Sequence, residues 1–409
     1  MNTGDTSFVL ISTALVFLMT PGLALFYGGM VRKKNVLSTL MQSWIVIGIM
    51  SLQWILVGYT LAFGPDYHGL IGSLDWLGLK GVGVDPNPDY AATIPAILFM
   101  AFQMMFAVIT PALISGSIAE RMRFPAFLAF VLLWATFVYD PLAHWIWGVG
   151  GFLRTLGALD FAGGNVVHIS SGYSALIAAL ILGKRKGLGK EQMAPHHIPM
   201  TVLGAGLLWF GWFGFNAGSA LGANGLAGMA FVNTNTAAAA AAIAWAVVER
   251  LHRGKSTVLG AASGAVAGLV AITPAAGFVT PLSSLFIGLV GGTICYFTIS
   301  VMKAKFGYDD ALDAFGCHGL GGTWGALATG IFATKTINPA GADGLFYGNA
   351  SLLGIQVESV LITVVFTVIA TFIILKAISL VTKLRVSEDE ESTGLDVSLH
   401  GEQAYPDFI

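Results

Sequence analysis

Charge is scarce in this chain. Only 10% of its 409 residues are Asp, Glu, Lys or Arg, where a soluble domain carries about 25%. Twenty Lys+Arg and twenty-two Asp+Glu are too few to coat a soluble surface of this size, which excludes a water-soluble enzyme and a disordered scaffold. A formal net charge of −2 offers no basic face for phosphates and so excludes a nucleic-acid binder. Cysteine is nearly absent as well. Cys295 and Cys317 cannot build a disulfide framework, and both sit in apolar runs, where they read as small buried hydrophobes. What fills the chain is apolar: 56% hydrophobic residues, a mean hydropathy of +0.77 and fifty-two glycines. Glycine is costly in soluble helices but lets membrane helices approach closely. The composition is that of an all-α polytopic membrane protein, with the lipid bilayer as its surroundings.

About 20 apolar residues cross roughly 30 Å of hydrocarbon as a helix. Eleven runs meet that length, near 7–31, 38–63, 93–118, 124–147, 161–183, 198–220, 226–248, 257–276, 282–302, 314–333 and 351–380. They are long and continuous, unlike the ten-residue alternations of a β-barrel. Seventeen of the twenty basic residues fall in the connections after the odd-numbered runs; only Lys80, Arg154 and Lys335 lie on the other side. Positive charge stays in the cytoplasm, so the expected orientation is N-terminus out and C-terminus in. No basic residue precedes the first run, so nothing there resembles the n-region of an uncleaved signal. Residues 64–92, rich in Gly, Pro and Asp, read as an ordered external connection. Residues 1–385 form the transmembrane domain, and 386–409, with seven acids and no Lys or Arg, a cytoplasmic tail.

Two histidines stand apart from the other six. His68, His196, His197, His252 and His400 fall in loops or the tail and read as solvated, while His144 reads as a satisfied interfacial residue. His168 and His318 lie well inside apolar runs, where a polar group needs a partner. Asp160 precedes His168 by eight residues and Asp310 precedes His318 by eight; Gly172 and Gly322 each follow at four. The offset of 150 residues equals five spans. An odd number inverts the second copy, so spans 1–5 and 6–10 are expected to form a five-plus-five inverted repeat, with span 11 additional. Eight helical residues rise about 12 Å, which puts both histidines near the midplane, close to the pseudo-twofold axis. Simple packing remains an alternative for each histidine. A metal site is not expected, because no further ligands lie at suitable spacing and a structural zinc takes four; nor does any motif call for a cofactor. Asp160 is open to two readings, a cation ligand or a cap for the start of span 5, and its position favours the cap.

Phe102 and Phe106 are four apart in span 3 and share a helix face. Phe215 and Ser219 are four apart in span 6, with Ser219 the outer of the two. Trp147 ends span 4. Each aromatic has a bland reading as lipid packing or interfacial anchor. A Trp face beside a hydroxyl acceptor at the outer end also suits a small cation. No nucleophile, carboxylate dyad or metal cluster lies at the depth of the histidines, so the chain does not read as an enzyme.

With these residues in view, the chain resembles the ammonium transporter (Amt/Mep/Rh) family, and most of all its bacterial Amt branch. Asp160-Phe-Ala-Gly-Gly-Asn-Val-Val-His168-Ile169 and Gly316-Cys-His-Gly-Leu-Gly-Gly322 carry the likeness most specifically. Ala24-Leu-Phe-Tyr-Gly-Gly29, Ala119-Glu-Arg-Met-Arg123, Gly214-Phe-Asn-Ala-Gly-Ser219 and the tail segment Gly394-Leu-Asp-Val397 with His400-Gly-Glu402 extend it along nearly the whole chain. The resemblance implies that Trp147 and Ser219, with Phe102 and Phe106 nearby and Asp160 in support, recruit external ammonium. It implies that Phe106 and Phe215 form a phenyl gate and that His168 and His318 are the twin histidines of an ammonia-conducting pore; apart from the resemblance, two paired imidazoles are also suited to relaying the proton. It further implies a homotrimer, one pore per subunit, and a PII-type (GlnK-like) signalling protein meeting the cytoplasmic tail. The ending Tyr405-Pro-Asp-Phe-Ile409 matches no pattern of the family.

Overall fold

The computed structural model describes residues 1–405; the last four residues of the tail lie outside the described range. Each apolar run carries a helix: α1 (Thr3–Met30), α2 (Lys33–Phe63), α3 (Ala96–Ile118), α4 (124–147), α5 (Gly164–Leu182), α6 (Ile198–Gly218), α7 (Gly225–Arg253), α8 (Val258–Ile272), α9 (Pro281–Phe306), α10 (315–332) and α11 (Ala350–Val381). Among the described residues nine of these are long and apolar enough to cross a membrane, α8 and α10 being the others. The protein is a multi-pass membrane protein.

Local chemistry sets the boundaries that differ from the expected ones. Helix α1 begins four residues early because the Asn2 side chain accepts the amides of Gly4 and Asp5. Helix α8 stops at Ile272, with Thr273 as its C-cap and Pro274 next, which lacks the N–H a helix would need. Helix α5 starts at Gly164 rather than near 161, because Gly163 has φ +119°, a conformation that favours glycine.

The counterpart helices of the two halves cross at glycine. In the α1–α6 pair, a Cβ on Gly29 would collide with Thr201 and the His197 carbonyl, and one on Gly204 with the Phe26 backbone. In the α5–α10 pair, a Cβ on Gly172 would run into the Gly319 backbone, and one on Gly322 would lie 2.9 Å from the His168 Cβ. Gly172 and Gly322, equivalent in the repeat, are therefore the points at which the two histidine helices touch.

One end of the bundle bears residues 64–92, with a small hairpin pairing Asp66–Tyr67 and Ile71–Gly72; we call it outer. The inner end gathers the basic connections. There Glu120 bridges Arg32 (2.9 Å) and Arg185 (3.1 Å), and Arg185 also holds Asp309 (2.8 Å). Burial pushes the Glu120 and Asp309 carboxyls up, but Arg185, aided by Arg32 at Glu120 and by Arg121 at Asp309, outweighs it and holds both below their ordinary values. The described part of the tail lies against this end. Glu391 pairs with Arg385 at 2.8 Å and accepts the Lys186 amide, while Asp396 accepts the Ser38 amide at 2.8 Å.

Candidate functional site

The site begins with two turns that the repeat makes alike. Asp160 lies before the helix, not on it, so the expected eight-residue helical rise to His168 does not occur. Its carboxylate accepts the amides of Gly163 (2.8 Å), Gly164 (2.5 Å), Asn165 (2.8 Å) and Val166 (3.3 Å). Asp310 does the same for Ala314 (3.1 Å) and Phe315 (2.8 Å). Each carboxylate meets the free N–H groups of a helix start, where anionic acceptors are favoured. Of the two readings of Asp160, this geometry is that of the cap. Burial pushes the Asp310 carboxyl up to about 6, with Lys303 the largest opposing influence.

Both helices then open with a wide π turn, Gly164–Ile169 and Phe315–Gly319. His168 and His318 each lie in one of them. Such turns cluster at functional positions in helices. The two rings are buried and nearly parallel, 21° apart with centroids at 5.3 Å, and Nδ1 faces Nδ1 at 3.3 Å. One Nδ1 must donate and the other accept, so the tautomers are opposite. One Nε2 is then a donor and the other a bare acceptor. The Nε2 of His168 is buried with no protein partner among the described residues.

Toward the inner end the rings border a slender cavity of about 60 Å³, walled largely by apolar side chains such as Leu23, Ile109, Leu208, Trp212 and Val266. Tyr27, Ser263, Asp313 and Cys317 add polar atoms to this lining. Asp313, at φ +64°, is paired with Lys303 at 2.6 Å. Toward the outer end Phe215 lies 6.1 Å from His168 at 22°, and Phe106 lies 4.2 Å from Phe215 at 35°. Beyond Phe106 opens a vestibule of about 450 Å³.

Of the residues singled out from sequence, the vestibule collects Phe106, Trp147, Asp160 and Ser219. Trp147 meets Phe106 edge-on at 5.9 Å and donates its indole N–H to the Asp160 carbonyl at 2.9 Å. Ser219 donates its hydroxyl to the Phe215 carbonyl at 2.8 Å, leaving the oxygen lone pairs to accept. Phe102 does not line this space; it packs edge-on against Phe106 at 5.0 Å and beside Gly218. Gln103 does line it, with a buried Oε1 that has no partner among the described residues. Its signal was a lone amide inside an apolar run, which was not singled out. Phe161, Tyr90 and Arg154 also border the vestibule, and nothing in their local sequence announced them.

Of the remaining histidines, His68, His197 and His252 are exposed, as expected, while His196 and His400 are half-buried. His196 lies 3.0 Å from the Val31 carbonyl, His197 caps α6 through the Met200 amide, and His252 lies 2.8 Å from the Tyr296 hydroxyl. His400 packs on Phe124. His144 is satisfied, as expected, and wholly buried. Among the described residues no cluster of three or more His, Cys, Asp or Glu could hold a metal, and both cysteines are free thiols.

The profile of the Ammonium Transporter Family matches residues 7–405. An ammonium transporter of Bacillus subtilis (strain 168) is 60% identical over 409 residues, covering 100% of both chains. Ammonium transporter Amt1 of Archaeoglobus fulgidus is 48% identical over 99% of this chain and 100% of its own. Among solved structures, Saccharomyces cerevisiae Mep2 superposes with a TM-score of 0.91 at 37% identity, over 100% of this chain and 92% of that one. A sensor Amt protein superposes at 0.90 and 31% identity, over 97% and 98%.

Proposed function

Because this chain belongs to the ammonium transporter family, we propose that it binds ammonium in the outer vestibule, removes a proton there and conducts ammonia past His168 and His318. The observation that carries the reading is the unbroken series from Trp147 through Phe106 and Phe215 to the paired imidazoles and the cavity beyond.

The costs favour this route. A charged side chain at the bilayer centre costs about 2.5–3.5 kcal/mol on insertion scales and more in simulations. Deprotonating ammonium at neutral pH costs about 3 kcal/mol, roughly two pH units at 1.36 kcal/mol each. The two are comparable, so shedding the proton is an accessible alternative to forcing the ion between two phenyl rings. Potassium has no proton to lose, and selectivity follows without a carbonyl filter. At the entrance the Trp147 face and the Ser219 lone pairs, with Gln103 Oε1 nearby, supply what an ammonium ion needs. In the lumen one imidazole Nε2 donates and one accepts, so ammonia finds a partner for each of its roles. Exchanging the tautomers moves a proton along the same pair, and transport is then electrogenic. Homotrimer assembly and a PII-type partner at the inner face, against residues 386–405, complete the proposal.

Ammonium-evoked current on a solid-supported membrane tests it. Current that saturates with ammonium is expected; uptake without current defeats separate proton transfer and leaves an electroneutral ammonia channel. A sensor reading draws on the likeness to a sensor Amt protein and the docked tail. It predicts no rescue of an ammonium-uptake mutant at low ammonium and low pH despite surface expression.

A further inference from the structure

We infer that His144, locked to Asp66, is a positioning residue for Trp147, fixing the outer end of α4 so that the indole stands edge-on to Phe106. The inference rests on the reading of Trp147 as part of the ammonium-recruiting vestibule.

His144 lies one turn before Trp147, and its ring is 0% exposed. Nδ1 lies 3.0 Å from the Ala62 carbonyl and Nε2 lies 2.8 Å from Asp66 Oδ1. The ring is thus held from both nitrogens at once, by a backbone carbonyl on one side and a carboxyl group on the other. The clamp reaches further on each side. Asp66 accepts the Gly69 amide at 2.8 Å, and the Gly69 carbonyl accepts the Phe152 amide at 3.0 Å. The end of α2, the outer hairpin and the short helix Phe152–Leu156 are thereby tied to one imidazole.

The chain after Trp147 wraps around this pair. A Cβ on Gly148 would lie 2.6 Å from His144 Nδ1. Gly150, at φ +92°, comes so close that a Cβ there would lie 2.6 Å from the Asp66 Cβ. Trp147 is held on its other flank by the Asp160 carbonyl at its indole N–H and by Arg154 at its own carbonyl (2.5 Å). His144 borders neither the vestibule nor the inner cavity. Whatever it contributes to binding passes through the turn that carries the indole.

Ammonium uptake into proteoliposomes, measured to saturation, tests this with Trp147→Phe, His144→Gln and Asp66→Asn, singly and with each of the latter two combined with Trp147→Phe. Trp147→Phe alone examines the underlying reading: an unchanged half-saturating concentration overturns the recruiting role and this inference with it. Given a rise there, His144→Gln and Asp66→Asn are expected to raise the half-saturating concentration about tenfold while the maximal rate stays within about twofold. In the Trp147→Phe background either effect should shrink below about twofold, because residues that act through one another do not add. Equal effects in both backgrounds, or a lowered maximal rate at unchanged half-saturation, overturn the inference. Should His144→Gln not fold, Asp66→Asn decides by the same two readings, since Asp66 sits outside the helices with its side chain 31% exposed.

Discussion

A carboxylate that accepts four backbone amides is doing structural chemistry whatever else it does. Asp160 satisfies the free N–H groups of residues 163–166, and a buried donor left unpaired costs about 1–3 kcal/mol. Asp160→Ala is therefore expected to lower stability by about 3 kcal/mol or more, with uptake falling alongside. Thermal unfolding in detergent, read beside uptake, checks it. Lost uptake at unchanged stability would instead mark a direct cation ligand. The cap was legible in Leu159-Asp160-Phe-Ala-Gly-Gly, since an acid before two glycines at the mouth of an apolar run is a helix-start pattern. The role of Phe102 was not. Helical spacing puts it on the same face as Phe106, but which of the two edge-on rings borders the space depends on Gly218 of another helix, and spacing within one helix carries no such information.

Between helices, contact is decided where side chains are absent. Gly172 of α5 leaves no room for a Cβ against the Gly319 backbone of α10, and overpacking of this kind costs about 1–3 kcal/mol. Gly172→Ala is expected to lower the unfolding midpoint and to weaken uptake, because the same crossing sets the 3.3 Å between the imidazoles. The control is Gly206→Ala on α6, which would meet nothing within 4 Å and is expected to leave both unchanged. Equal behaviour of the two variants would detach the crossing from the site. The inverted pairing of α5 with α10 was readable from Asp160/His168/Gly172 against Asp310/His318/Gly322. The π turns were not, since they differ from an ordinary helix by one residue per turn and have no composition of their own. Nor were the places where α5 and α8 begin or end fully legible, although Gly163 and Pro274 stand there in the sequence.

The molecule as a whole is held at its inner end by buried ion pairs that tie distant connections together. Arg32, Glu120, Arg185 and Asp309 come from four separate segments. Glu120 is held below its ordinary value of 4.5 in the fold. A lowered acid stabilises the folded state above its unfolded value, and that contribution is lost as pH falls through the folded one. The stability gap between the native protein and Glu120→Gln is thus expected to be full at neutral pH and to close as pH drops below about 4.5. Unfolding midpoints across pH 3–7 check it, and a gap that widens in acid would contradict the assignment. The basic residues of this end were legible as an orientation signal, but not as partners of buried acids, because charge counting says which side a loop faces and nothing about what it meets. The tail was legible as an acidic cytoplasmic segment, but not that Glu391 and Asp396 would be buried acceptors against that same end.

The central claim is that two imidazoles from oppositely oriented halves conduct ammonia through an apolar lumen that refuses a bare cation. Ammonium flux and potassium leak, measured together in proteoliposomes bearing the native protein, His168→Ala or His318→Ala, test it most directly. The account predicts folded variants in which each substitution alone changes ammonium flux by about tenfold or more, or admits potassium. Native flux with intact potassium exclusion in both variants would contradict it.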